Sequence, residues 1–247
     1  MCRFSVAALF EGSKAEQNRE TVINGGLSLI ELLRQTTAGL DYLHSYGFIH
    51  RNIHPRNVLI AEIGGDDSNK KKKRYMVKLS DFRCGKKLSS QGPTGNSGTH
   101  GETSWIAPEM TNLNALLTTA ADVFILGCFF HYVLSGVGKH PFGSKATERK
   151  KNIEDCHYEP ELTTDLFVTG AGRKLADERM IGLIKKMIRR QPELRPDLNQ
   201  VLEYFQTRDY FPIYDGLKEG IRPGLCVIIN QQIFQQVHSF IHSFIHS

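Results

Sequence analysis

A mainly helical fold carrying one small β-hairpin is predicted by this sequence, on three observations. The run from Val123 to Leu134 is apolar on nearly every side, which marks a helix buried all round. Met180, Leu183, Ile184, Met187 and Ile188 recur at helical spacing and form one apolar stripe. Val58-Leu59-Ile60 and Tyr75-Met76-Val77-Lys78-Leu79 are strand-like runs joined by a polar stretch, the pattern of a hairpin with an oversized loop.

In chain order, residues 1–26 show no clear pattern and are expected to be a poorly defined N-terminal remnant. Leu29, Leu33, Leu40 and Leu43 then place a stripe on a helix from Leu27 to His44, which Gly47 ends. The hairpin follows, and the run Lys70-Lys71-Lys72-Lys73-Arg74 is expected at its solvated tip. Lys86 to Thr103 is rich in Ser, Gly and Thr without periodicity, a surface segment. The central helix covers Ala120 to Leu134, and the amphipathic helix after Met180 ends in Arg189-Arg190, cations at its negative pole. Pro196 opens a short helix through Val201, Leu202 and Phe205. Beyond Phe211-Pro212 the pattern weakens into His-Ser-Phe-Ile repeats from His238. The expected organisation is therefore a remnant at 1–26, one folded domain at 27–211 and a low-complexity tail at 212–247.

Composition is that of an ordinary globular chain: 247 residues, 40% hydrophobic and 23% charged. The net charge of +5 comes chiefly from the lysine run, a weak pull towards an acidic partner. Neither metal-finger spacing nor alternating aromatic and basic residues occur, so no specific nucleic-acid partner is expected. The five cysteines are scattered, which suits a reducing compartment. Val6 to Phe10 is too short for a signal-peptide core, and no run approaches bilayer-spanning length. A cytoplasmic chain without a membrane segment is expected.

The chemistry-bearing residues cluster around the hairpin. Asn57 follows Asn52 by five positions, so a tight loop aims both side chains into one cleft while Val58 and Ile60 anchor the next strand. Asp81 ends the second strand and is expected to face Asn57 across the hairpin. An amide oxygen plus a carboxylate, completed by phosphate oxygens and water, suits a hard cation such as Mg²⁺. Phosphoryl transfer needs such a cation and an oriented nucleophile, and little else from the protein.

Three motifs carry a resemblance: His50 to Ile60; Leu79-Ser80-Asp81-Phe82; and Gly101-Glu102-Thr103-Ser104-Trp105-Ile106-Ala107-Pro108-Glu109. In that order they resemble the eukaryotic protein kinases. With Leu33-Arg34-Gln35-Thr36-Thr37-Ala38-Gly39-Leu40 and His140-Pro141-Phe142-Gly143, they resemble more narrowly the inositol-requiring kinase/endoribonuclease of the unfolded-protein response and ribonuclease L. The resemblance spans roughly Leu27 to Phe211. It implies the large, C-terminal lobe of a protein kinase-like fold, and ATP- and Mg²⁺-dependent phosphorylation of serine or threonine in protein. It also implies that Asn57 and Asp81 ligate metal and hold the cofactor. Asn52 occupies the position of the catalytic-loop base, and His54 that of a phosphate-contacting lysine. Glu109 pairs with Arg195, Asp122 accepts hydrogen bonds from the catalytic-loop backbone, and the parent family's kinase lies on the cytosolic side of the endoplasmic reticulum membrane.

Departures from the pattern weigh against activity. Asn52 can orient a hydroxyl but cannot take its proton, and loss of a positioned base costs about a hundredfold to ten-thousandfold in rate. Arg83 replaces a glycine whose missing Cβ lets the backbone swing. Residues 1–26 offer no counterpart to the glycine-rich loop, the phosphate-pairing lysine, its glutamate-bearing helix or the hinge strand. The small lobe is therefore expected to be missing, as in a truncated product, leaving a large exposed apolar patch where it would dock. Too few residues follow Phe211 for an endoribonuclease domain. The expected function is a kinase-like domain inactive in this chain; the alternative is a pseudokinase module that docks on a kinase partner. Expected partners are a protein substrate or that kinase, with self-association through the uncovered face.

Blander explanations stand beside several of these. His54 is read as a solvated, mostly uncharged loop histidine. Ser89 to Ser104 holds candidate phosphosites, with Arg51 as a cation to pair with them. His238, His242 and His246 have i, i+4 spacing that can bind Zn²⁺, which repeat expansion also explains. Cys84 and Cys156 are read as buried small hydrophobes.

Overall fold

The structure is a computed structural model that describes residues 2–63, 74–88, 94–95, 102, 104–155, 157 and 176–206. The lysine run up to Lys73, most of the Ser/Gly/Thr-rich segment, Cys156 and the tail from 207 onward, with its histidines, lie outside the described residues. In order, the elements are β1 (Cys2–Ser5), α1 (Ala15–Asn24), α2 (Leu29–Ser45), β2 (Phe48–Ile49), β3 (Val58–Ile63) and β4 (Arg74–Leu79). Then come β5 (Lys86–Lys87), β6 (Thr94–Gly95), β7 (Leu116–Leu117), α3 (Ala120–Leu134), α4 (Ala146–Glu154), α5 (Glu178–Met187) and α6 (Leu198–Gln206).

Helix α3 is the centre of the molecule, with every residue from Ala121 to Leu134 buried. Phe124 stacks on Phe142 at 5.5 Å between ring centroids, and Phe130 meets Phe205 of α6 edge-on at 6.0 Å. Each such ring contributes about 2–3 kcal/mol through burial. Helix α5 crosses close to α3 because Gly127 has no side chain; a Cβ there would lie 2.7 Å from Ile188 Cγ2 and 2.8 Å from Met187 Cβ.

Helix α2 starts where Ser28 Oγ accepts the Glu31 N–H at 3.1 Å and stops at Gly47, whose φ is 73° and whose N–H donates to His44 O at 2.8 Å. Its expected stripe is inside: Leu33 and Leu40 are fully buried, Leu29 and Leu43 pack against the core, and Leu32 joins them. The same helix closes the sheet edge, since Gln35 Oε1 accepts the Val77 N–H of β4 at 2.9 Å.

The expected hairpin is present: β3 and β4 pair antiparallel with Val58 opposite Leu79 and Ile60 opposite Val77. That register sets Asn57 beside Ser80, whose N–H donates to Asn57 O at 2.9 Å.

Residues 1–26 depart from the sequence expectation. Cys2–Ser5 adds a third strand, pairing antiparallel with β3 in the order β1-β3-β4. Val6, Leu9 and Val22 are buried in the core. The Ala7 N–H donates to Pro55 O at 2.8 Å, directly in the loop between Asn52 and Asn57. Tyr132 Oη donates to Glu11 Oε1 at 3.0 Å. The segment is ordered because an open sheet edge and the end of α3 supply partners that its own pattern does not announce.

The exposed apolar patch expected above the site is also corrected. Among the described residues the large exposed apolar side chains are Ile23, Tyr46, Leu113, Leu116, Val137 and Leu194, none of them on β3, β4 or the loop. Strand β1 and helix α2 cover that sheet instead. Among the described residues, no helix is long and apolar enough to cross a membrane.

Candidate functional site

The loop from His50 to Asn57 is hung on one carboxylate. Asp122, at the N-terminal end of α3, is fully buried and accepts the His50 N–H through Oδ2 at 2.7 Å and the Arg51 N–H through Oδ1 at 2.8 Å. His44 Nε2 lies 2.8 Å from Oδ2. Burial pushes the Asp122 pKa up, but the hydrogen bond and charge of His44 and the proximity of His50 outweigh it, so the group stays below the ordinary carboxylate range. These bonds hold Arg51 at φ 60°, a left-handed conformation that costs a non-glycine residue about 1–2 kcal/mol. Below α3, Arg195 makes a bidentate pair with Glu109 at 2.6 and 2.8 Å and donates to Ala120 O, Arg189 O and Arg190 O. Both bracing contacts implied by the resemblance are therefore in place.

On the other side of the loop, Asn52, Asn57 and Asp81 are brought together. Asn52 Nδ2 donates to Asp81 Oδ2 at 2.9 Å, and Asn57 Nδ2 donates to Asn52 O at 3.0 Å. Asn57 and Asp81 are thus linked through Asn52. Asn52 Oδ1 accepts the Glu102 N–H at 3.1 Å, which spends its acceptor on the chain after β6. Asp81 sits in the left-handed region at φ 61°, leading into the 3-10 turn Phe82–Cys84. Asp is among the residue types that tolerate this conformation best.

Arg83, noted in the sequence as a replacement for glycine, is the partner that sequence reasoning missed. Its Nε donates to Asp81 Oδ1 at 2.5 Å and its Nη2 to Oδ2 at 2.9 Å. The Arg83 hydrogen bond is the main influence holding the Asp81 carboxyl below its usual range, against the upward push of partial burial. A cation two residues from an acid at a turn was the available signal, but which way the side chain swings is set by the 3-10 turn.

His54 lies half-buried beside this group, and burial lowers its pKa while Glu102 and Asp81 pull the other way. It is therefore neutral near pH 7. Its Nδ1 accepts the Arg56 N–H at 3.3 Å. Arg51 is buried at 4% exposure, with Nε donating to Cys84 O at 2.6 Å, so it is not the open cation expected to meet a phosphate on the surface segment. Cys84 is buried as expected, and burial raises its thiol pKa.

As a Mg²⁺ site this donor set does not fit. Of the expected pair, Asp81 already receives N–H donors on both carboxylate oxygens, from Arg83 and Asn52, while Asn57 turns its amide nitrogen to Asn52 O. Among the described residues, no group of three or more His, Cys, Asp or Glu could hold a metal ion.

The Protein kinase domain family matches residues 13–205. The human serine/threonine-protein kinase/endoribonuclease IRE2 is 34% identical over 217 residues, 83% of this chain and 20% of that protein. Serine/threonine-protein kinase/endoribonuclease ire-1 of Caenorhabditis elegans is 34% identical over 195 residues, 76% of this chain and 18% of that protein. An Arabidopsis thaliana protein named inactive serine/threonine-protein kinase/endoribonuclease IRE1-like is 34% identical over 176 residues, 70% of this chain and 28% of that protein. The chain spans less than a third of the length of these curated relatives. With the loop braced by Asp122, the Glu109–Arg195 pair below α3 and a family match over most of the sequence, the chain belongs to the protein kinase family, among relatives of the IRE1 type.

Proposed function

We propose that these 247 residues form the large lobe of an IRE1-type serine/threonine kinase-like domain that does not transfer phosphate and works by protein contact instead. One observation carries this reading: at the position of the catalytic base stands the Asn52 carboxamide, with its oxygen on Glu102 N and its nitrogen on Asp81. A carboxamide has no proton affinity near neutral pH, and here it is also committed to two neighbours. The transfer step therefore has no general base, a deficit of about a hundredfold to ten-thousandfold. ATP and Mg²⁺, the family's cofactors, find neither a base nor a free carboxylate in this arrangement. The name inactive carried by the Arabidopsis thaliana relative agrees with a silent member in this family. Protein contact on a kinase partner, or on a second copy, is the remaining use of a framework whose bracing contacts are intact.

The test is phosphate transfer from γ-labelled ATP to a general serine/threonine protein substrate, with the full chain and with Asp81→Asn. No label above background is expected from either. Label that the wild-type chain incorporates and Asp81→Asn does not would overturn the proposal. Sedimentation velocity over a concentration series examines the contact role: self-association appears as a rising sedimentation coefficient, and a strictly monomeric chain removes that form of it.

A further inference from the structure

Asp81 is the acidic group at the end of β4 that faces the loop, and a cation is already bound to it. Arg83 reaches back across the first turn of the Phe82–Cys84 3-10 helix and places both Nε and Nη2 on the two carboxylate oxygens, at 2.5 and 2.9 Å. This fork-on-carboxylate geometry is the strongest form of the guanidinium–carboxylate hydrogen bond and leaves little of either oxygen open to a further ligand. Asn52 Nδ2 occupies the remaining approach to Oδ2 at 2.9 Å. The backbone is arranged for this contact: Asp81 is left-handed at φ 61°, which turns the next residues so that Arg83 follows on the same side. Asp81 is only 20% exposed, whereas Arg83 is 79% exposed. The acid is thus built into the wall of the site, and the cation covers it from the solvent side.

We propose that the Arg83 guanidinium is the resident cation of this site, a tethered group that takes the place of a divalent metal ion on Asp81 and makes the chain a poor binder of divalent cations. A guanidinium brings one positive charge and five N–H donors, and it satisfies a carboxylate without any of the oxygen ligands that Mg²⁺ or Mn²⁺ demands. Because it is attached two residues away, it competes at an effective concentration in the millimolar range, whatever the metal content of the solution. Arg83 is exposed, so the plug is reversible and removable without disturbing the core. This inference goes beyond the absence of a catalytic base, because it concerns Asp81 and metal rather than Asn52 and the proton. It stands even if phosphate transfer is detected by a metal-independent route.

The experiment uses Mn²⁺ alone as the probe, its binding to the full chain followed by electron paramagnetic resonance of the free ion. Wild type, Arg83→Gln, Arg83→Lys and the double variant Arg83→Gln/Asp81→Asn are compared, each checked by circular dichroism. Arg83→Gln is expected to bind Mn²⁺ about tenfold more tightly than wild type, the scale of removing a tethered competitor. Arg83→Lys, which keeps the charge but loses the fork, is expected in between. The double variant is expected to lose the gain. If Arg83→Gln binds Mn²⁺ no better than wild type, or if the gain survives the loss of Asp81, the proposal is overturned. The labelled-ATP assay reads phosphate transfer and the Mn²⁺ titration reads whether Arg83 keeps an ion off Asp81, so failure of the proposed function is seen separately from failure of this inference.

Discussion

Asp122 and Asp81 serve the same loop from opposite sides, and they are held in different ways. Asp122 is fully buried, binds backbone N–H groups of His50 and Arg51, and takes its side-chain partner, His44, from the last turn of α2. Asp81 is at the surface of the cleft and is held by side chains, one of them the largely exposed Arg83. Backbone-to-carboxylate bonds do not depend on the identity of the residues whose N–H groups they use. Side-chain bonds do. The course of the loop therefore survives changes at Asn52 and Arg83, while what the loop can do chemically is rewritten by them. The course of the loop and the make-up of the site thus rest on different carboxylates.

The comparison is broken most directly at the buried member. Asp122→Ala strands two buried N–H groups and His44, and is expected to cost about 3–5 kcal/mol in urea unfolding. A loss below about 1 kcal/mol would mean that the loop has another support. Acid offers a second route. Burial lowers the His131 pKa to about 4, and it lowers those of His50 and His140 as well. The unfolded chain takes up these protons near pH 6.5 and the folded one does not, so stability falls as pH drops from about 6.5 towards 4, by roughly 3 kcal/mol for His131 alone. Asp122, with its lowered pKa, adds a further loss below that window, as it is forced to protonate. A urea midpoint unchanged between pH 7 and 4.5 would contradict the burial of these rings.

Third in size is Gly127→Ala, which drives a methyl into Ile188 and Met187 and should destabilise by about 1–3 kcal/mol, read from the same urea curves. The smallest effect sharpens the contrast. Arg83→Gln is expected to leave the urea midpoint unchanged within error, because the pair with Asp81 is solvent-exposed on the arginine side. A clear drop would place Asp81 among the structural acids with Asp122.

Helix α3 was legible because its composition admits only a buried environment, and the hairpin because two β-prone runs flank a polar stretch. The Asp122 and Glu109 contacts were legible through resemblance, since bracing partners travel with the motifs that need them. Helices α1 and α4 were not, and the reason is physical: each is dominated by charged and polar residues and buries a single apolar side chain, Val22 or Ile153. No periodicity marks such a helix. Strand β1 was hidden because its partner is β3, far along the chain, and the alternation of Cys2-Arg3-Phe4-Ser5 lasts only four residues. At the site, the sequence placed Asn52, Asn57 and Asp81 in one neighbourhood but not the direction of Arg83, which depends on a left-handed turn at Asp81 that a non-glycine residue rarely adopts.

The single backbone bond from Ala7 to Pro55 ties the beginning of the chain to the middle of the Asn52–Asn57 loop, while Cys2–Ser5 lies zipped to β3 just after that loop. Strand and loop consequently form one lever. Anything that tugs on the first residues, a neighbouring segment or an attached label, is transmitted to Asn52 and Asn57 along a path of a few covalent and hydrogen bonds. Amide exchange at Ala7 should therefore rise and fall together with exchange at Asn57.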